Sequence, residues 1–438
     1  MRKLTTPFLL YLCFLAPLAA TAQQDSTATL ATVEHHGLML YYMRGAQAEA
    51  AGRTAEAKRA FSEGLAAFPD SPHLALGVAQ TSAALGDEKS CFEALGRLAA
   101  LGVKFDLARI EALEPFLEKP GFQAMAEALK PNEPGPPPAE SVHVLQGADL
   151  WTEGIACDRV TGDLFAGSVK HGKIVRLRNG VQEDFGTTAQ DDLLEVIGLH
   201  VDEERRQLWA ATGRDEPAPS GKHDFGEMPR ENAIVVYDLD SGQQVQKFTM
   251  VPDDRIHMWN DVTVAPDGTA YFTDMSVGEI HRIPPGGSPE LFHVLKDRNS
   301  PNGIAAGLDG RLVYVACLEE ILVIDVASGA ASTLKSGADV CTGLGDGLAL
   351  DKDGLFIVQN SGLLGQRVLQ CRLDGSGHGL TSAHTLTVAL PPGLMPYTCA
   401  LGRDRLYVNG TAPFAQYDDP DGPPASVIVE IPKTASAK

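Results

Sequence analysis

"WTEGIACDRVTGDLFAG", residues 151–167, is the stretch on which the fold turns. From Cys157 onward it reads as a hairpin: a strand, a turn over Arg159 to Asp163, and a second strand, "LFAG". Glu153 is the odd residue. It stands where the first strand begins, followed at once by Gly154 and an apolar pair. A lone carboxylate at a strand mouth is ordinarily a solvated end, so its meaning depends on whether other strands begin the same way.

They do. "IGLHVDEERRQLWAAT" (197), "NDVTVAPDGTAYFTD" (260), "NGIAAGLDGRLVYVA" (302), "DGLALDKDGLFIV" (346) and "YTCALGRDRLYVNG" (397) repeat the same plan. Each has a short apolar strand, a turn, a strand with an aromatic or branched pair, and then further strands such as "AIVVYDLDSGQQVQKF". A period of roughly 40 to 60 residues is that of a four-stranded propeller blade. The region 142–433 is thus expected to be a six-bladed β-propeller, making the protein mainly β. The strand "SVHVLQ" (141–146) is placed to join the last blade and remove an open edge.

Residues at the same phase of the innermost strands face one another around a propeller's axis. At the strand mouths these are Glu153, Asn260, Asn302 and Asp346. Each has a plain explanation alone: a strand end, a loop cap, or an Asn-Gly or Asp-Gly turn. Turn chemistry does not explain why four blades carry them at one phase. Two carboxylates and two amides converging on one axis make a cage of hard oxygens, suited to Ca²⁺ first, with Mg²⁺, Mn²⁺ or Zn²⁺ as alternatives. Without a cation the two carboxylates would repel and one would take up a proton.

With these motifs in place, residues 142–433 resemble the senescence-marker-protein (regucalcin) and gluconolactonase family of six-bladed propellers. The resemblance rests on "EGI" at 153, "ND" at 260, "PNGIA" at 301–305, "DGLAL" at 346 and "YTCALGRDRLYV" in the last blade. It implies that Glu153, Asn302 and Asp346 bind the metal, that Asn260 completes the coordination or helps bind substrate, and that the chemistry is hydrolysis of a lactone or ester, lactonase-like or arylesterase-like. Asp346 would then be both ligand and general base. One departure bears on substrate. Where the sugar-lactone hydrolases carry an Arg two residues before the "ND" Asn, this chain has Met258, with Trp259 next to it, which points to a more apolar substrate. His200 and His257 read as strand-packing or loop histidines, with channel lining as the alternative. The insertion between Gly213 and Asn232 reads as a solvated loop or a flap over the channel mouth.

The rest of the chain frames this region. Residues 1–22 read as a cleavable signal peptide: Arg2 and Lys3, the apolar "PFLLYLCFLAPLAA", then Ala20-Thr21-Ala22. No later apolar run is long enough to span a bilayer. A periplasmic or secreted protein is expected. Residues 34–130 carry helical spacing and a 34-residue repeat, marked by Gly52 and Gly86 and by Phe61 and Leu95. They resemble a short tetratricopeptide-like domain, which is either a groove for a protein partner or a packing appendage. Residues 131–141 read as a Pro-rich linker. A net charge of −21 argues against nucleic acid as a partner. The six cysteines after Cys13 are spread widely with no CxxC; they read mostly as buried small residues, with one disulfide left open. The alternative to an enzyme is a non-catalytic propeller, pinned by its metal, that binds a protein or small ligand.

Overall fold

The computed structural model describes residues 38–104, 106–116, 118–130, 141–147, 150–186, 193–213, 231–251, 253–295, 300–318, 320–336, 340–361, 363–413 and 425–433. The expected signal peptide, nearly all of the Pro-rich linker and most of the blade-two insertion lie outside these residues. The chain divides into two compact units. One runs to Glu133 and takes in Asp339–Cys341 and Ser361–Gly365; the other holds the remaining residues from Pro134 onward.

The first unit is helical: α1 (Leu38–Ala50), α2 (Thr54–Ala67), α3 (Pro72–Ala84), α4 (Glu88–Ala100), two short 3₁₀ turns, and α5 (Pro120–Leu129). The hairpins α1–α2 and α3–α4 start 34 residues apart, as the sequence repeat requires. Each bends at a glycine with positive φ, Gly52 at 71° and Gly86 at 72°. Ser71 and Asp87 accept hydrogen bonds from Leu74 N and Ser90 N and so start the second hairpin's helices. Fully buried Phe61 locks the stack: a Cβ on Gly77 would lie 2.7 Å from its ring.

The second unit consists of six four-stranded antiparallel sheets, spanning 152–185, 195–249, 259–294, 304–333, 348–387 and 395–432. The first strand of each is innermost: β2 (Thr152–Cys157), β6 (Glu195–Asp202), β10 (Trp259–Val264), β14 (Ile304–Ala306), β18 (Leu348–Asp351) and β22 (Met395–Leu401). Each packs on the next, and β22 returns to β2, so the sheets form a closed six-bladed propeller. The second strands, such as Leu164–Ser168 and Leu312–Ala316, are buried end to end because a blade lies on both sides. This is why they are nearly all apolar. Between the first two blades Phe165, Phe185, Val196 and Tyr237 form one core; burial of a side chain such as Phe165 contributes about 1.5–3 kcal/mol.

Closure uses the strand expected for it. β1 (Val142–Val144) pairs antiparallel with β24 (Val427–Pro432), with Val142 opposite Val429 and Val144 opposite Val427. The last sheet therefore takes its outermost strand from the start of the propeller, which leaves no open blade edge at the seam. A buried ion pair, Lys433 Nζ to Asp351 at 2.5 Å, ties the chain end to blade five. All six cysteines of the described residues are buried, and none is in a disulfide.

Candidate functional site

Every inner strand is broken at the same level by a β-bulge. The register slips between Thr152 and Ile155, Val196 and Gly198, Trp259 and Val262, and Pro396 and Cys399. In blades four and five the bulge is visible in the hydrogen bonds. Asn302 N and Gly303 O both bond Ala316, and Asp346 N and Gly347 O both bond Val358. The six bulge pairs are Glu153-Gly154, Ile197-Gly198, Asn260-Asp261, Asn302-Gly303, Asp346-Gly347 and Tyr397-Thr398. A bulge adds one residue and re-aims its side chain, so the repeated polar residues mark a structural level and are not turns.

The glycines are there for close approach, not for positive φ. A Cβ on Gly303 would lie 2.6 Å from Leu348 N, one on Gly198 2.6 Å from Asp261 Cα, and one on Gly347 2.6 Å from Thr398 Cα. Each glycine lets one blade's bulge touch the next. Gly303 N donates to Asp346 O at 3.0 Å, and Gly347 N to Tyr397 O at 2.9 Å. Blade three carries Asp261 in place of glycine. Its carboxylate accepts from Val262 N at 2.9 Å and from Ile304 N of blade four at 3.0 Å. Asn409 closes the ring, donating to Glu153 O at 2.9 Å while accepting from Thr398 N at 2.8 Å.

Glu153 feels the other ring carboxylates. Glu153 is held well above the usual carboxylate range, first by burial and then by the charges of Asp346, Asp261 and Glu195. Burial lifts Asp346 to about 7, against hydrogen bonds from Asn360 and Asn302 that stabilise its charge. The Asn360 bond is 2.6 Å, to Oδ2. Burial also lifts Asp261 to about 7. The Asn302 carbonyl accepts from Thr273 Oγ1 at 2.7 Å, which fixes its backbone from the neighbouring blade. Asn260 is buried, and its amide lies 3.9 Å from Met275 Sδ. Among the described residues no group of three His, Cys, Asp or Glu is placed to hold a metal ion. The ring set fits a cation only as two carboxylates with two amides, all hard oxygen donors of the kind Ca²⁺ takes. The fit is physical as well as compositional: a divalent cation would offset the burial that lifts both carboxylates and the repulsion that Asp346 and Asp261 exert on Glu153.

The sequence picked out four of the six ring positions. In the other two blades the position is filled by buried Ile197 and by Tyr397, whose ring packs 5.8 Å from that of Trp151. Met258 is half-buried beside the ring, and its carbonyl accepts from Met275 N at 2.9 Å, so two methionines flank Asn260. Trp259 corrects the sequence reading. It is 3% exposed and packs 4.5 Å from Phe272 between blades two and three, so it shapes the core and presents no wall to a substrate. His257 is likewise buried, against Asp274. His200 does line the channel, in a cavity of about 410 Å³ walled by all six inner strands, and burial lowers its pKa to about 4. Sequence reasoning missed Asp261, Asn360, Asn409 and Met275. Only Asp261 left a signal, as the one acidic residue where the Asn-Gly and Asp-Gly pairs have glycine.

The sequence profile of the SMP-30/Gluconolactonase/LRE-like region matches residues 151–409. Among solved structures, a gluconolactonase from Xanthomonas campestris is 20% identical, with 69% of this chain and 99% of that one covered and a TM-score of 0.44. A calcium-binding protein, regucalcin, from Agrobacterium tumefaciens is 16% identical, covering 66% and 92%, at 0.44. Virginiamycin B lyase from Staphylococcus aureus is 17% identical, covering 68% and 88%, at 0.43. No curated protein sequence matches the chain. With the profile spanning more than half of its residues and starting at the Glu153 strand, the chain belongs to the SMP-30/gluconolactonase/LRE-like family.

Proposed function

We propose that the protein is an extracytoplasmic, metal-dependent hydrolase of lactones or esters whose acyl or alkoxy part is largely apolar. The observation that carries this is the bulge ring itself: Glu153 and Asp346, two carboxylates lifted by burial, with Asp346 raising Glu153 further, share one level with Asn302 and Asn260. Glu153, Asn302 and Asp346 would hold the cation, Ca²⁺ first, with Asn260 completing the set. When bound, such a cation supplies Lewis acidity to a substrate carbonyl and acidifies a coordinated water.

The remaining work falls to side chains of this chain. Asp346 takes the proton of the attacking water as that oxygen bonds to the acyl carbon. It returns the proton to the leaving oxygen as the acyl carbon–oxygen bond breaks. Asn360 donates to Oδ2 at 2.6 Å, which fixes the orientation of the carboxyl for that transfer. The amide of Asn260 would donate to the developing oxyanion. Met258 and Met275 offer a polarisable apolar wall in place of a cationic grip, which favours neutral substrates over sugar acids. The signal-peptide sequence supports the location.

The test is a panel of lactones and aryl esters with Ca²⁺, Mn²⁺ or Zn²⁺, run on the wild type and Asp346→Ala. Turnover that needs both the metal and Asp346 is the expected result. Tight metal binding with no turnover under any metal would instead make the propeller a binding module.

A further inference from the structure

We propose that His257 is a positioning residue for the blade-three side of the site: an imidazolium clamp that sets where Met258 and Asn260 stand, and that opens at alkaline pH. The proposal rests on the reading that these two residues meet substrate.

The clamp is built from both ends of the ring. His257 Nδ1 lies 2.5 Å from Asp274 Oδ2, and Nε2 lies 2.9 Å from Asp253 Oδ1. Carboxylates only accept hydrogen bonds, so both nitrogens must carry hydrogen and the ring is an imidazolium. It is 5% exposed, and Asp274, at the end of β11 (Ala270–Asp274), is 0% exposed. The other oxygen of Asp274 accepts from Met258 N at 3.0 Å. Asn232, also buried, donates to His257 O at 3.1 Å and accepts from Trp259 N at 2.9 Å. The backbone from 257 to 259 is therefore anchored residue by residue up to Asn260, and the same Asp274 carboxylate bonds both the imidazolium and the Met258 amide.

The charged surroundings favour the proton. Asp253 and Asp274 face the ring directly. Arg255, on the same loop, is turned away into pairs with Asp253 and with Glu279 of β12 (Glu279–Ile283). His281, the other titratable group nearby, lies 3.3 Å from Glu279, and burial lowers its pKa. The bond from Asp274 raises the pKa of His257 above its ordinary 6.5. The sign follows. The clamp is complete below 6.5 and is lost as pH rises through the higher folded value, when a neutral imidazole can serve only one of its two carboxylates.

The test uses ¹⁵N-histidine-labelled full-length protein, with His257→Gln to assign the signal, and Asp253→Asn, which alters the 38% exposed partner and spares the core. Imidazole titration by NMR is expected to show His257 protonated above 6.5, and at lower pH in Asp253→Asn. Amide protection at Met258 and Trp259 should fall with the same midpoint, and in His257→Gln should not vary across about pH 6 to 9 beyond the intrinsic exchange rate. The alkaline limb of kcat/KM for the best ester should move with the NMR midpoint, and His257→Gln should lose roughly tenfold in kcat/KM. A neutral His257 at about pH 6, or a limb that stays put while the NMR midpoint moves, overturns the clamp. If no variant hydrolyses anything, the hydrolase reading fails, and NMR with amide protection still decides the clamp.

Discussion

Asp346→Asn in the metal-free protein is the sharpest test of the ring. Burial lifts Asp346 from 3.8 to about 7. A carboxylate lifted by folding costs nothing below pH 3.8, where both states are protonated. The cost grows from there and is complete above about 7. Three pKa units correspond to about 4 kcal/mol, which is the ceiling of the effect. The substitution also removes a charge that raises Glu153, while the amide keeps the shape and can still accept from Asn360. In chelator-treated protein at about pH 8, the variant should therefore melt higher than the wild type, by roughly 5 °C or more at ~2–4 °C per kcal/mol. The gap should close at about pH 4. Calcium should narrow the gap, and reverse it once the gain of the wild type exceeds the cost of its lifted carboxylate. At a hundredfold excess over Kd, a ligand of the folded state adds about 2.7 kcal/mol to the wild type, and the variant should lose most of that gain. Melting curves by scanning calorimetry, with and without Ca²⁺ at the two pH values, read all four numbers. A variant that melts lower than the metal-free wild type at the higher pH, or that keeps the full calcium shift, refutes the coupled-carboxylate account.

Three further outcomes follow from the same geometry. Glu153→Gln should abolish the calcium-dependent rise in melting temperature and the hydrolytic activity together, read by calorimetry and an ester assay. Gly303→Ala drives a methyl against Leu348 N; it should destabilise by about 1–3 kcal/mol and weaken calcium binding measured by titration calorimetry. Met258→Arg should raise the ratio of sugar-acid lactone to aryl-ester turnover, since it adds the cationic grip that the blade-three wall lacks.

Much of this protein is written locally in its sequence. Alternating apolar strands with Asp-Gly turns determine blades, because a strand buried between blades must be apolar whatever its neighbours are. The 34-residue offset of the helical hairpins is legible for the same reason: Gly52 and Gly86 bend the chain where they stand. The phase of Glu153, Asn260, Asn302 and Asp346 was visible too, since each opens an equivalent strand. What the sequence did not determine depends on closing the ring. Only when the inner strands meet does Gly303 abut Leu348, does Asp261 reach Ile304, and does Asn409 reach Glu153, contacts between residues 43 to 256 positions apart. Trp259 and His257 sit close to a site residue in sequence, yet contacts with Phe272 and Asp274 of the same blade hold both in the interior. Desolvation is likewise a property of the closed ring. It lifts Asp346 and Glu153 together, and so converts an ordinary strand-end carboxylate into one that calls for a cation.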